Sequence, residues 1–146
     1  MITYQKLTKE DIVQVVLLEE QFLGETLGIE MLETELNNNA ACFITAKSNQ
    51  TVLGYIGGYF IFDEGEILNF VVDEKYQRQG IGQNLFNYLL SLYPKIKKIT
   101  LEVREKNQKG INFYLKNNFQ KISIRKHYYK NGDNAIVMIK EIKWKY

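Results

Sequence analysis

The spacing of apolar and polar positions changes along the chain, and each change predicts an element. Ile2 to Leu7 alternates as a short strand, and Thr8 ahead of Lys9-Glu10-Asp11 is placed to cap a helix. Ile12, Val15, Val16, Phe22 and Leu23 recur at helical spacing until Gly24, a stop signal. A second helical pattern, Ile29, Leu32 and Leu36, ends at Asn37-Asn38-Asn39. Ala40 to Ala46 and Thr51 to Phe62 read as strands joined by Lys47-Ser48-Asn49-Gln50, and Asp63-Glu64-Gly65 turns the chain into a strand from Glu66 to Val72. A helix carrying Leu85, Phe86, Leu89 and Leu90 closes near Pro94. Lys98 to Arg104 is then a fifth strand, parallel to its predecessor because a helix makes the crossover. Asn107 caps a further helix with an inner face of Ile111, Tyr114 and Leu115, and Asn118 stands where a left-handed C-terminal residue is wanted. Strands from Lys121 to Arg125 and from Ala135 to Ile142 flank the turn signal Asn131-Gly132. The expectation is an α/β (α+β) fold: a mixed, mostly antiparallel seven-stranded sheet flanked by about four helices.

Length and composition narrow this picture. At 146 residues the chain is expected to form one domain, residues 1-146, able to bury most of its apolar surface. No apolar run approaches the roughly 20 residues of a membrane span, and Met1-Ile2-Thr3-Tyr4-Gln5-Lys6 has no signal-peptide core, so a cytoplasmic protein is expected. The single cysteine, Cys42, has no internal disulfide partner. Between Ala41 and Phe43 it reads as a buried strand residue rather than a nucleophile. The net charge of +2 is unevenly spread: sixteen of the nineteen Lys and Arg lie from Lys75 onward, and none falls between Lys9 and Lys47. That half carries Asp11, Glu19, Glu20, Glu25, Glu30, Glu33 and Glu35, favouring a polyphosphate ligand on one side and a cationic partner on the other. For most of these residues a solvated helix face is the competing explanation.

The densest chemistry lies from Phe70 to Gln83, where a β-branched run breaks into a polar turn and Gly80 and Gly82 open a helix. Such glycines let backbone approach a ligand closely, and first-turn N–H groups backed by the helix dipole suit a phosphate or pyrophosphate. A nucleoside-triphosphate loop needs Lys-Ser/Thr after its last glycine, and Gln83-Asn84 follows here. A dinucleotide fold wants a third glycine where Leu85 sits.

What remains, Gln77-Arg78-Gln79-Gly80-Ile81-Gly82, fits Gln/Arg-x-x-Gly-x-Gly/Ala and resembles the acetyl-CoA pyrophosphate loop of the GCN5-related N-acetyltransferase (GNAT) family. The predicted element order is similar over essentially the whole chain. Leu-Asn-Phe-Val-Val, Leu-Glu-Val-Arg-Glu-Lys-Asn, Asn-Phe-Tyr and Arg-Lys-His-Tyr-Tyr, all between Ile67 and Met138, resemble the bacterial branch that acetylates the N-terminal alanine of ribosomal protein bS18. Archaeal and eukaryotic subunits that acetylate protein N-termini are similar in the same segments.

Acetyl transfer to an amine needs a base for the amine, donors for the oxyanion and a proton for the departing thiolate. The resemblance implies Glu102 as the base, directly or through a water, and its apolar neighbours Leu101 and Val103 would partly desolvate it. An edge carboxylate paired with Arg104 or Lys98 is the alternative. Tyr114 is implied as the acid, and its apolar helix face equally suits a core tyrosine. Phe70, Val71 and Val72, with Gln77, Arg78, Gln79, Gly80, Ile81, Gly82, Gln83 and Asn107, are implied contacts of acetyl-CoA, the expected cosubstrate. The same resemblance implies that the sheet splays between its fourth and fifth strands, freeing backbone groups for pantetheine. Gly110 permits close approach of the cofactor or is a plain surface glycine. His127, Tyr128 and Tyr129 are implied to line the slot for the acceptor's first residues, with His127 a lower-ranked candidate base.

The expected acceptor is a protein N-terminus, with direct transfer in a ternary complex. No metal, nucleic-acid or membrane partner is expected, and a monomer is. The branch usually carries Pro-Trp between the first two helices; Phe22-Leu23-Gly24-Glu25-Thr26-Leu27 lacks it, which leaves the peptide preference open. A small-molecule amine acetyltransferase and a non-catalytic acyl-CoA-binding subunit are the alternatives.

Overall fold

A computed structural model describes residues 1–143. Its elements are β1 (Thr3–Lys6), a 3-10 turn at Lys9–Asp11, α1 (Ile12–Phe22), α2 (Ile29–Glu35), β2 (Ala41–Ser48), β3 (Thr51–Ile61), β4 (Glu64–Val72), a second 3-10 turn at Glu74–Tyr76, α3 (Ile81–Ser91), β5 (Lys98–Arg104), α4 (Gln108–Lys116), β6 (Gln120–Arg125) and β7 (Ala135–Glu141). The strands form a seven-stranded sheet in the order β1-β2-β3-β4-β5-β7-β6. β4 and β5 are parallel, whereas β1/β2, β2/β3, β5/β7 and β6/β7 are antiparallel. This is the mixed sheet that the periodicity predicts. The parallel ladder runs from Glu64↔Lys98 to Ile67↔Leu101. β4 continues to Val72 and β5 to Arg104, with no further β4–β5 pairs among the described residues.

By contacts the chain divides into two compact units. One comprises Met1–Phe60 and Asn69–Pro94. Its core joins Ile12, Val15, Val16, Leu18 and Leu32 to strand residues such as Ile44, Leu53, Tyr55 and Ile56 and to Ile81, Leu85, Phe86 and Leu89 of α3, all buried. Gly57 faces Phe43 across the β2–β3 ladder, and a Cβ there would lie 1.9 Å from the Phe43 ring. The glycine makes room for that ring. The other unit comprises Ile61–Leu68 and the chain from Lys95 on. Strict alternation along β5 buries Ile99, Leu101 and Val103 and leaves Lys98, Thr100, Glu102 and Arg104 on the more accessible face. Ile111, Tyr114, Phe119, Ile136 and Met138 complete that core.

Several local expectations hold and several shift. Gly24 has φ +74 just past α1, Asn118 has φ +69 past α4, and the Asn107 side chain accepts from Gly110 N–H at 2.9 Å. Thr8 does not cap through its side chain; its hydroxyl instead donates to Asp11 at 3.1 Å. Between β3 and β4 the chain turns at Phe62-Asp63, earlier than Asp-Glu-Gly suggests, with Phe62 at φ +56 and almost fully exposed. In α2 only Leu32 is buried, and Leu115 of α4 is exposed, because these short helices present one turn's width to their cores. Among the described residues no helix is long and apolar enough to cross a membrane.

Candidate functional site

The glycine stretch belongs to the first unit. After β4 the chain passes through the turn at Glu74–Tyr76, and the Gln77 amide ties it back by donating to the Val72 carbonyl at 3.2 Å. Arg78 follows with φ +68 and Gly80 with φ +77, two residues apart. A left-handed arginine is unfavourable, and such backbone concentrates at ligand clamps. Alternation of handedness turns successive N–H groups toward one side, as in anion nests. Gly80 is the N-cap of α3 and has no side chain to satisfy the first-turn N–H groups. A Cβ on Gly80 would meet nothing within 4 Å, so the loop opens outward. These features fit a pyrophosphate.

Strand alternation gives the end of β4 two faces. Phe70 and Val72 point at α3, their side chains lying 3.6 and 3.7 Å from where a Cβ of Gly82 would be. Val71 faces the opposite way and is buried, leaving only its backbone for a ligand. Gly54 of β3 lets that backbone come close, since a Cβ there would lie 2.8 Å from the Val71 carbonyl oxygen. Gln83 is engaged along its own helix, donating to Asn87 at 3.0 Å.

The second unit gathers the other named side chains. Glu102, on the accessible face of β5 and 28% exposed, accepts from the Tyr128 hydroxyl and lies 3.5 Å from Arg125 Nε. Neither Arg104 nor Lys98 is its partner: Arg104 pairs with Asp133 at 3.0 Å, and Lys98 with Glu64 at 3.2 Å. The Arg104 guanidinium also lies 3.9 Å from the centre of the Tyr129 ring, which packs edge-on against Tyr128. Asp133 further holds Lys106 at 3.0 Å, and Asn134 accepts from the His127 N–H at 2.9 Å. The end of β5 therefore clamps the β6–β7 loop and sets Tyr128 against Glu102, with Tyr129 packed on Tyr128 and Arg104.

Tyr114 is buried between Phe113 and Phe119, each edge-on to it. Burial first, then the neighbouring Tyr129, pushes its hydroxyl well above the ordinary tyrosine range. It therefore keeps its proton and stays a hydrogen-bond donor. Complete transfer to a thiolate is uphill by about 2 kcal/mol even for an unperturbed tyrosine against a thiol. The Tyr128 hydroxyl is raised chiefly by its hydrogen bond to Glu102, so it too stays a donor. His127 takes φ +54, and its Nδ1 lies 3.2 Å from the Gly132 carbonyl oxygen, a contact internal to the loop. Asn107 caps α4, and Gly110 has its own reason: a Cβ there would fall 2.7 Å from the Asn107 side chain. The glycine accommodates the cap.

Arg125 as the neighbour of Glu102, and Arg104 as the support of Tyr129, escape a reading of the sequence. They meet Glu102 and Tyr129 only through the β5–β7–β6 register, in which Arg104 and Arg125 are both partners of Ala135. The alternation that puts Glu102 and Arg104 on one face of β5 was the available signal.

A seven-stranded mixed sheet, a glycine-led helix following β4 and, on β5, a carboxylate that accepts from a phenol suit an acyltransferase that uses a nucleotide-linked thioester. The model of the Acetyltransferase (GNAT) family matches residues 11–119, and the chain belongs to that family. An N-alpha-acetyltransferase of Sulfurisphaera tokodaii is 27% identical over 143 residues, covering 88% of this chain and 86% of that protein. The [ribosomal protein bS18]-alanine N-acetyltransferase of Escherichia coli is 36% identical over 83 residues, covering 53% of this chain and 56% of that one. The crystal structure of Ard1 from Thermoplasma volcanium superposes with a TM-score of 0.89 at 28% identity, covering 98% and 99% of the two chains. The chain is an N-acetyltransferase with acetyl-CoA as cosubstrate. Acetyl-CoA supplies the activated acetyl thioester.

Proposed function

We propose that this single-domain enzyme, residues 1–146, acetylates the α-amine of a protein N-terminus, with the N-terminal alanine of ribosomal protein bS18 as acceptor. The observation that carries the reading is the Glu102 carboxylate held by Tyr128, with Tyr129 packed beside it on a loop clamped by Arg104. An α-ammonium has a reference pKa near 8, so a carboxylate that first attracts the cation and then takes its proton, directly or through one water, meets the need. Tyr128 and Tyr129 offer flat walls and hydroxyls to a peptide's first residues, with His127 at the loop's edge. The N-alpha-acetyltransferase and the bS18-alanine enzyme among the relatives support this acceptor.

In this reading Phe70, Val71 and Val72 offer backbone to the pantetheine arm and the thioester oxygen. Gln77 to Gln83 hold the pyrophosphate, Asn107 meets the arm from the start of α4, and Tyr114 donates to the departing sulfur. Transfer is direct, because Cys42 is buried with its thiol pushed up by desolvation and makes a poor acyl carrier. The protein acts as a cytoplasmic monomer. The test is thiol release from acetyl-CoA with Ala-first, Met-first and Ser-first peptides and with spermidine. Preference for the Ala-first bS18 sequence is expected. Turnover of spermidine alone would replace the peptide acceptor with a small amine, and tight CoA binding without turnover would point to a non-catalytic subunit.

A further inference from the structure

Glu19 lies on the inner side of α1 and is fully buried. Among the described residues no Lys or Arg pairs with it; four neutral donors surround its carboxylate instead. The Tyr55 hydroxyl of β3 and the Asn69 amide of β4 both donate to Oε2. Thr26 donates to Oε1 at 2.7 Å, and the Leu27 N–H lies 3.4 Å from both oxygens. A buried charge is costly unless fully hydrogen-bonded, so a site of this kind holds all its donors in one arrangement.

What it holds is informative. Asn69 is two residues past the last β4–β5 pair, where β4 has left the ladder. It shares a strand face with Val71, whereas Phe70 and Val72 on the other face meet α3 at Gly82. Fixing Asn69 from one side therefore sets the roll of the strand that presents Phe70 and Val72 on the other. Thr26 and Leu27 tie in the α1–α2 connection, whose ends are two left-handed glycines, Gly24 and Gly28. These bonds fix that connection against α1.

We propose that Glu19 is a positioning residue for acetyl-CoA: through Asn69 it holds the unladdered end of β4 in the orientation that receives the pantetheine arm, and through Thr26 and Leu27 it couples the α1–α2 connection to that strand. This rests on β4 being the pantetheine strand, as proposed above. Asn69→Ala cuts the link to β4 and leaves Glu19 its other three donors. CoA affinity by calorimetry is expected to fall about tenfold, the loss of one hydrogen bond to a charged group. Hydrogen exchange over residues 68–72 should quicken, and the thermal midpoint should fall by about 3–6 °C, the same lost bond read as stability.

Asn69→Asp, which opposes two carboxylates, should bind CoA more weakly still. Adding Glu19→Gln to it restores a donor facing an acceptor and should recover part of that loss, a coupling that independent sites would not show. CoA affinity within twofold of the parent for Asn69→Ala, or losses in all variants that simply follow the fall in thermal midpoint, would overturn the proposal. Because the binding readout needs no acceptor, failure of the parent to acetylate any peptide would refute the acceptor assignment and leave this test intact.

Discussion

Gly54→Ala examines the placement of the donor strand most directly. A methyl group on Gly54 would lie 2.8 Å from the Val71 carbonyl oxygen, 3.1 Å from Val72 Cα and 3.2 Å from Val72 Cγ2. Ordinary contact begins at 3.4 Å, so β3 and β4 must part by about 0.6 Å. The obstructing atoms are mainly backbone, so a rotamer change gives no relief. Overpacking of this kind costs about 1–3 kcal/mol, and for a chain of this size each kcal/mol lowers the thermal midpoint by roughly 2–4 °C. The displaced residues are those proposed to meet the pantetheine arm, and Val72 is pushed toward α3. A misplacement of 1 Å costs about a hundredfold in rate, so 0.6 Å should cost about tenfold in kcat/KM for acetyl-CoA.

Gly57→Ala is the matched control. Its methyl would fall 1.9 Å from the Phe43 ring, a worse clash, but with a side chain of β2 rather than with the donor strand. Calorimetric CoA affinity and steady-state rates, measured well below both midpoints, should separate the pair. Gly57→Ala should lose more stability and keep CoA affinity per folded molecule; Gly54→Ala should do the reverse. Equal CoA affinities in the two variants would refute β4 as the donor strand.

Glu102→Gln should lower kcat about a hundredfold or more with a peptide acceptor and leave CoA affinity unchanged, and Tyr114→Phe should lower kcat by a similar factor; single-turnover rates beside CoA binding check both. Asp11 is 4% exposed and pairs with Lys47, 12% exposed, at 2.9 Å. Asp11→Ala leaves the lysine buried alone and should cost about 3–5 kcal/mol in urea unfolding, part of which Lys47→Met should recover in the double variant. Burial raises the Cys42 thiol above its ordinary 9.0, so above that pH the folded state binds more protons than the unfolded one and stability falls as pH rises. Tyr55, Tyr93 and Tyr114, also raised by burial, add to the alkaline loss, and Lys140, lowered by desolvation, opposes it. A thermal-midpoint titration should therefore decline from about pH 9, and Cys42→Ala should flatten the first part of that decline.

Signals confined to a few consecutive residues were legible in the sequence. The Asn107 cap, the left-handed Asn118 and the glycine-led start of α3 depend on backbone within one turn, and composition there dictates conformation. Alternation along Lys98 to Arg104 likewise placed β5 and put Glu102 on its accessible face. Thr8 marks the limit of such reasoning: a hydroxyl that could cap by accepting found a better use in donating to Asp11, itself fixed by Lys47 from a distant strand. Arg125 reaches Glu102 only once β6 and β5 are both laid against β7.

Glu19 shows why the remainder was hidden. In an acidic stretch beside Glu20 it reads as solvated surface, since an unpaired glutamate almost never withstands full burial. The stretch looks uniform because burial is a property of the helix face, and Glu19 follows Leu18 on the side that α1 turns inward. The cost of burying it is offset only by donors that arrive from β3, from β4 and from the α1–α2 connection. No local pattern encodes that convergence. The carboxylate and those donors are buried together, each satisfied by the other. The packing of α1 is thus tied to the placement of the strand end on which acetyl-CoA is proposed to lie.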